Sequence, residues 1–215
     1  MGTLTSFTKL ELIEFLKNQA NIEHEGNKLY DGTGTHILQN PYELTELIEW
    51  IRGLSPNFKP TSFLEIGFSA GITNSILNKV FDFSNITAVD HITLGGPPNP
   101  STFVANLKFK PINFIAGDST SENTIRKVKA LGPYNFLFID GGHTKKILKS
   151  DYFNYSKLLT KNSVIVFHDI KSTAFPELNN AWEEIKSTLS NKVKIKEFIR
   201  EEAKISFGIG AIYMP

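Results

Sequence analysis

The chain has 215 residues and a formal net charge of +1, and it contains no cysteine. The length is that of one domain with a terminal extension, and the charge gives no support for a nucleic-acid-binding or anionic-membrane surface. The lack of cysteine excludes disulfides, thiolate catalysis, zinc–thiolate sites and iron–sulfur clusters.

The first 60 residues differ from the rest of the chain. Apolar residues recur every three positions from Phe7 to Leu16, which predicts a short amphipathic helix. A polar, glycine-rich stretch over 24–40 predicts a loop, and Pro41 then stands at the first position of a second helix. We therefore expect an N-terminal helical segment and loop over residues 1–60 and a separate domain over 61–215.

From residue 61 onward, short apolar runs alternate with helical patterns. This rhythm predicts a parallel sheet with right-handed crossovers. After these runs, 193–200 and 205–214 read as a hairpin, so the last strand should be antiparallel to its partner. The expected fold is α/β and Rossmann-like, with a mostly parallel seven-stranded sheet, helices on both faces and a C-terminal antiparallel hairpin. The five strand-like runs before the hairpin are 62–67, 86–90, 112–118, 134–140 and 163–169.

Polar residues are concentrated where these strands end, which is the edge at which open parallel sheets bind ligands. The first strand leads into a Gly-x-Ser-x-Gly turn, and glycines there allow a ligand to approach the backbone. The second strand ends in a carboxylate placed to accept the hydroxyls of a ribose. The strand-end residues are Gly67 to Gly71, Asp90, Gly117-Asp118-Ser119, Asp140-Gly141-Gly142-His143 and His168-Asp169.

Simpler explanations exist for several of these residues. The Gly-x-Ser-x-Gly turn also fits an esterase, with Ser69 as its nucleophile. Asp118 and Ser119 are also typical helix caps, and His143 also fits the start of a helix. Asp151, inside a predicted helix, is expected to face solvent or to form an ion pair.

The ligand class follows from what the strand ends lack. The chain has no P-loop motif, and the turn after the first strand lacks the third glycine of a dinucleotide fingerprint. Acidic groups without nearby Lys or Arg favour a cationic nucleoside over a pyrophosphate.

These motifs resemble those of the class I S-adenosylmethionine-dependent methyltransferases. The Ile-Asp-Gly-Gly-His run and the later His-Asp pair are similar to the small O-methyltransferases of the macrocin, cephalosporin-biosynthesis and catechol type. The residues that carry the resemblance are 64–71, Asp90, 117–119, 138–143 and 167–169.

The resemblance implies contacts with each part of S-adenosylmethionine. The turn after the first strand would shape the methionine pocket, and the hydroxyls of Ser69 and Thr73 would lie near the methionine carboxylate. Asp140 would face the methionine amino group, and Asp90 would bind the ribose. The adenine would lie beside His91 and the loop after the third strand. The implied cofactor-binding positions are Glu65, Gly67, Phe68, Ser69, Gly71, Thr73, Asp90, His91, Asp118, Ser119 and Asp140.

The resemblance also implies a catalytic centre. Metal-dependent relatives hold magnesium at the ends of the fourth and fifth strands, and the matching residues here are Asp140, His168 and Asp169. Because His168 departs from the usual oxygen ligand, a transition metal is the alternative to magnesium. His143 occupies the place of a general base, and its ordinary pKa suits that role.

The sequence therefore predicts a cytoplasmic S-adenosylmethionine-dependent methyltransferase that acts on a hydroxyl of a small molecule or sugar, with or without a divalent metal. The alternatives are an N-methyltransferase, a metal-free enzyme, and an inactive module that only binds the cofactor. The expected partner is a small-molecule acceptor, with no nucleic acid and no membrane, and a homodimer is left open. Residues 1–60 and the loop 91–100 are expected to cover the acceptor site.

Overall fold

A computed structural model of the protein describes residues 4–29, 36–54, 56–91, 112–203 and 207–215. The predicted acceptor loop 91–100, apart from its first residue, lies outside these ranges. The described strands are β1 Ser62–Ile66, β2 Asn85–Asp90, β3 Asn113–Ala116, β4 Tyr134–Ile139, β5 Leu159–Phe167, β6 Lys194–Phe198 and β7 Ile209–Met214. The described α-helices are α1 Lys9–Lys17, α2 Pro41–Arg52, α3 Ile72–Phe81, α4 Glu122–Leu131, α5 Lys145–Tyr155 and α6 Pro176–Thr188.

All seven strands belong to one sheet, in the order β3-β2-β1-β4-β5-β7-β6. The pairs β1–β2, β1–β4, β2–β3 and β4–β5 are parallel. β7 is antiparallel to both of its neighbours, β5 and β6. The predicted fold is thus confirmed, and the carboxyl ends of β1 to β5 meet at one edge of the sheet.

Alternate residues of the central strands point to opposite faces of the sheet, and each face carries its own apolar core. Phe63 of β1 and Phe136 of β4 pack on one face with residues of α1, α2 and α3. Their neighbours Leu64 and Leu137 pack on the other face with residues of α4, α5 and α6. Both strands are therefore apolar on both faces, as buried parallel strands are.

The N-terminal helices are tied into the domain by buried polar contacts as well as by this shared core. The carboxylate of Glu43 in α2 accepts hydrogen bonds from the backbone N–H of Arg200 (2.8 Å) and of Gly208 (3.2 Å). Glu43 is buried, and desolvation raises its pKa. Because a buried carboxylate needs such donors, α2 and the turn region after β6 depend on each other.

Side-chain caps fix where several of the helices begin. Asn40 caps α2, and Pro41 occupies its first turn, as the sequence predicts. Ser121 caps α4 and Thr144 caps α5. Asp118 and His143 are thus not the caps, and both lie at the edge of the sheet. None of the helices described is both long and apolar enough to span a membrane.

Candidate active site

The turn after β1 is built from backbone conformations that favour glycine. Gly67 and Gly71 have φ of 91° and 73°, and Ser69 between them has φ of 47°. A Cβ on Gly67 would lie 1.9 Å from the carbonyl oxygen of Asp140. The glycine therefore lets this turn pack directly against the end of β4.

Asp90 at the end of β2 holds the same turn in place. Its Oδ2 accepts hydrogen bonds from the backbone N–H of Phe68 (2.7 Å) and of Ser69 (2.6 Å). The sequence motif predicts that Asp90 binds a ribose, but it does not indicate that Asp90 also holds the turn. Ser69 is held through its backbone as part of this turn, so the Gly-x-Ser-x-Gly motif needs no esterase nucleophile to explain it.

The loop after β3 forms a tight turn of its own. Asp118 Oδ1 accepts hydrogen bonds from the N–H of Thr120 (2.8 Å) and from its hydroxyl (2.7 Å). These bonds lower the pKa of Asp118. From below, the Tyr155 hydroxyl donates to the carbonyl oxygen of Ser119 at 2.6 Å. α5 thus supports the loop that the resemblance assigns to adenine.

Asp151 lies in the interior beneath this edge, and the expectation that it faces solvent or forms an ion pair is wrong. Its side chain is fully buried, and neither carboxyl oxygen has a hydrogen-bond partner in the described part of the chain. Oδ2 lies 3.5 Å from the position that a Cβ on Gly141 would take. Burial raises the pKa of Asp151 to about 7, although the nearby Ser119 side chain opposes the rise.

The ends of β4 and β5 bring four charged or titratable side chains together. His168 Nδ1 lies 3.2 Å from Asp140 Oδ1 and 3.3 Å from Asp169 Oδ1. On the other side of Asp169, His143 Nε2 lies 3.1 Å from Oδ2. Asp169 itself has φ of 62°, so the backbone adopts a strained conformation to present this carboxylate.

In this group, burial and the neighbouring charges shift the pKa values in opposite directions. Burial lowers the pKa of His168, but the charges of Asp140 and Asp169 outweigh it and hold the pKa well above its ordinary value. Burial raises the pKa of Asp169, but the charge of His168 prevails, so that this carboxyl has a lowered pKa. The hydrogen bond to Asp169 raises the pKa of His143. His143 is also held by stacking on Phe175, with ring centroids 4.2 Å apart.

One subset of these side chains has the spacing of a metal site. Asp140, His143 and Asp169 offer ligand atoms that all lie within 4.8 Å of one another. The sequence resemblance names His168 in place of His143. In the structure His168 is the more deeply buried histidine, and its Nδ1 lies within 3.3 Å of an oxygen of each carboxylate.

A glutamine from the N-terminal segment also reaches this centre. Gln39 Nε2 donates to Asp140 Oδ2 at 2.7 Å, and the Thr73 hydroxyl donates to Gln39 Oε1 at 2.6 Å. Gln39 is 2% exposed, although it lies in the stretch predicted as a polar loop. Nothing in the sequence indicates this contact.

Glu65 lies behind the turn after β1. The residue is 1% exposed, and its Oε2 accepts a hydrogen bond from the side chain of Asn74 at 2.7 Å. Burial raises the pKa of Glu65 well above its ordinary value. Glu65 thus adds a buried carboxyl next to the turn and does not face solvent.

Comparison with known proteins decides the family. Residues 64–170, which run from β1 past the end of β5, match the family described as a methyltransferase domain. The matched segment contains all five strand-end motifs. The chain is a class I S-adenosylmethionine-dependent methyltransferase. None of the curated proteins matches its sequence.

Solved structures of other methyltransferases share the fold of this methyltransferase at low identity. An O-methyltransferase from Bacillus cereus in complex with SAH has a TM-score of 0.60 at 13% identity, covering 98% of this chain and 92% of that one. The N-methyltransferase NodS from Bradyrhizobium japonicum WM9, in complex with S-adenosyl-L-homocysteine, has a TM-score of 0.57 at 14% identity, covering 80% and 88%. The MycE methyltransferase from the mycinamycin biosynthetic pathway, in complex with Mg and SAH, has a TM-score of 0.57 at 11% identity, covering 94% of this chain and 54% of that one.

Proposed function

We propose that this methyltransferase transfers the methyl group of S-adenosylmethionine to a hydroxyl group of a small molecule or sugar. The observation that carries the proposal is the meeting of Asp140, His143 and Asp169 at the edge of the sheet, beside the turn after β1. A hydroxyl is a poor nucleophile until its proton leaves. A base among these three side chains can remove that proton.

The residues at the edge of the sheet fit a cationic cofactor. Carboxyl groups stand at the ends of β2 and β4 and, in Glu65, behind the turn after β1. S-adenosylmethionine supplies a methyl group that its sulfonium activates. The chain's own task is to hold the cofactor and the acceptor in line, which can contribute much of the rate. In this proposal Asp90 binds the ribose with the carboxylate that also orders the turn, and Asp118 and Ser119 bind the adenine.

His143 and Asp169 form the pair that we assign to proton removal. Asp169 accepts a hydrogen bond from the Nε2–H group of His143. This bond fixes the tautomer and leaves Nδ1 as a proton acceptor. The carboxylate also stabilises the imidazolium that forms, in keeping with the raised pKa of His143. Stacking on Phe175 fixes the plane of the ring.

The same side chains fit a divalent cation. Asp140, His143 and Asp169 supply two oxygen ligands and one nitrogen ligand, a set that suits manganese, iron or zinc better than magnesium. Such an ion lowers the pKa of a hydroxyl that binds to it. His143 then serves as a ligand, and it cannot also be the base.

Two measurements test the function. Calorimetry should find that SAH binds and that NAD and ATP do not. Methyl transfer from labelled S-adenosylmethionine is then measured over a panel of hydroxyl and amine acceptors. Transfer to hydroxyls supports the proposal, and transfer to amines only makes the protein an N-methyltransferase. If SAH binds but no acceptor of the panel is methylated, the result supports a module that only binds the cofactor.

The role of His143 is tested by His143→Asn, with Gln19→Met as a control far from the centre in sequence. If His143 is the base, we expect turnover to fall by roughly 10²-fold or more without a change in SAH affinity. Chelation with EDTA separates the two mechanisms. Activity that survives chelation supports the base, and activity that is lost and then restored by Mn²⁺ supports the metal.

A further inference from the structure

The side chain of Gln39 makes two hydrogen bonds, one as a donor and one as an acceptor, as the ammonium and carboxylate groups of an amino acid do. Its N–H group donates to the carboxylate of Asp140, and its carbonyl oxygen accepts from the hydroxyl of Thr73. The methionine end of S-adenosylmethionine carries an ammonium group, which donates, and a carboxylate, which accepts. The Gln39 amide thus presents the same two functions to the two residues that the sequence resemblance assigns to that end.

Both carboxyl oxygens of Asp140 already have a partner among the described residues. Oδ1 faces His168 Nδ1 at 3.2 Å, and Oδ2 accepts from Gln39 at 2.7 Å. His168 is fixed in this position because its Nδ1 also lies 3.3 Å from Asp169 Oδ1 and its ring is buried. An ammonium group that takes the position of Gln39 Nε2 on Oδ2 displaces Gln39, whereas one that uses a second lone pair of the carboxylate does not.

Chemistry favours that displacement. A hydrogen bond from an ammonium group to a carboxylate joins two charges, whereas the amide of Gln39 is neutral, and bonds between charged partners are stronger. On both sides of Gln39 the backbone is anchored. The Ile37 N–H donates to the Gln19 carbonyl oxygen at 2.8 Å, and the side chain of Asn40 accepts from the Tyr42 N–H at 2.9 Å. The exchange therefore needs a rotation of one side chain and leaves the segment in place.

We propose that Gln39 is a residue of the cofactor site, where its amide occupies the place of the amino-acid end of S-adenosylmethionine and competes with it. Gln39 then sets the affinity for the cofactor by stabilising the cofactor-free state. This inference rests on the proposed function, because it takes Asp140 and Thr73 as the partners of the methionine end.

The test compares two ligands that differ at that end. SAH carries the amino acid, whereas 5′-methylthioadenosine lacks it. Gln39→Met keeps the length of the side chain but removes both hydrogen bonds, and Gln19→Met is the control for the same exchange elsewhere in the N-terminal segment. We expect Gln39→Met to bind SAH at least threefold more tightly than the wild type does, with unchanged affinity for 5′-methylthioadenosine. Gln19→Met should change neither affinity.

Three outcomes overturn the inference. Weaker binding of SAH by Gln39→Met means that Gln39 contacts the cofactor directly. Equal changes for both ligands mean a general effect on the fold, and no change for either means that Gln39 does not compete. If the wild type binds neither ligand, the proposed function fails instead.

A crystal structure of the wild-type protein with SAH gives a second measurement that needs no variant. We expect Gln39 Nε2 to lie more than about 3.5 Å from Asp140 Oδ2, beyond hydrogen-bonding distance. If this hydrogen bond persists beside bound SAH, the inference is wrong.

Discussion

Replacing Asp151 by Asn should stabilise the protein strongly at pH 8 and much less at pH 5. Burial raises the pKa of Asp151 from 3.8 to about 7. In the unfolded chain the group ionises near its ordinary value. Between about pH 4 and pH 7 the native state thus holds a proton that the unfolded state has lost, and the free energy of unfolding falls as the pH rises. The fall levels off above about pH 8, where the native group is ionised as well.

The size of the effect follows from the width of this window. Each pH unit within this window lowers the free energy of unfolding of the wild type by up to about 1.36 kcal/mol. Between pH 5 and pH 8 the wild type should therefore lose about 2.5 kcal/mol relative to Asp151→Asn, whose amide does not titrate. Because Asp151 is buried without a hydrogen-bond partner in the described residues, solvent screening does not reduce this figure much.

Urea unfolding at pH 5, 6, 7 and 8 measures the difference. Glu201→Gln is the matched control, because it removes the same charge from an exposed position. The stability difference between Asp151→Asn and the wild type should grow by about 2.5 kcal/mol from pH 5 to pH 8, and that for Glu201→Gln should stay nearly constant. A constant difference for Asp151→Asn would refute a raised pKa at this position.

Two further substitutions test the turn after β1. Asp90→Ala removes the acceptor of the Phe68 and Ser69 N–H groups. We expect SAH affinity to fall at least tenfold and, because the turn loses its anchor, the melting temperature without ligand to fall as well. An unchanged melting temperature would contradict the anchoring role. Gly67→Ala places a Cβ 1.9 Å from the Asp140 carbonyl oxygen at a φ of 91°. We expect thermal unfolding to show that the free energy of unfolding falls by roughly 1–3 kcal/mol from strain alone. A wild-type melting temperature would show that the turn can rearrange.

The sheet and the edge at which the site lies could be predicted from the amino-acid sequence. The apolar runs that become β1, β4 and β5 are local patterns, and their alternation with helices leaves a parallel sheet as the main solution. Parallel strands bring their carboxyl ends to one edge, so the sequence alone places residues such as Asp90 and Asp140 near each other.

Which side chains meet at that edge could not be predicted in the same way. Gln39 reaches Asp140 across 101 residues, and no periodicity encodes a contact of that range. Asp151 resembles a surface residue of α5 in the sequence, yet the packing of α5 buries it beneath the loops of β3 and β4. Of the two histidines, His143 joins the group with metal-site spacing, because the turn of the chain at Asp169 aims the carboxylate at it. Local patterns fix the strands and their direction, whereas the orientation of a side chain at a strand end depends on neighbours that are distant in the sequence.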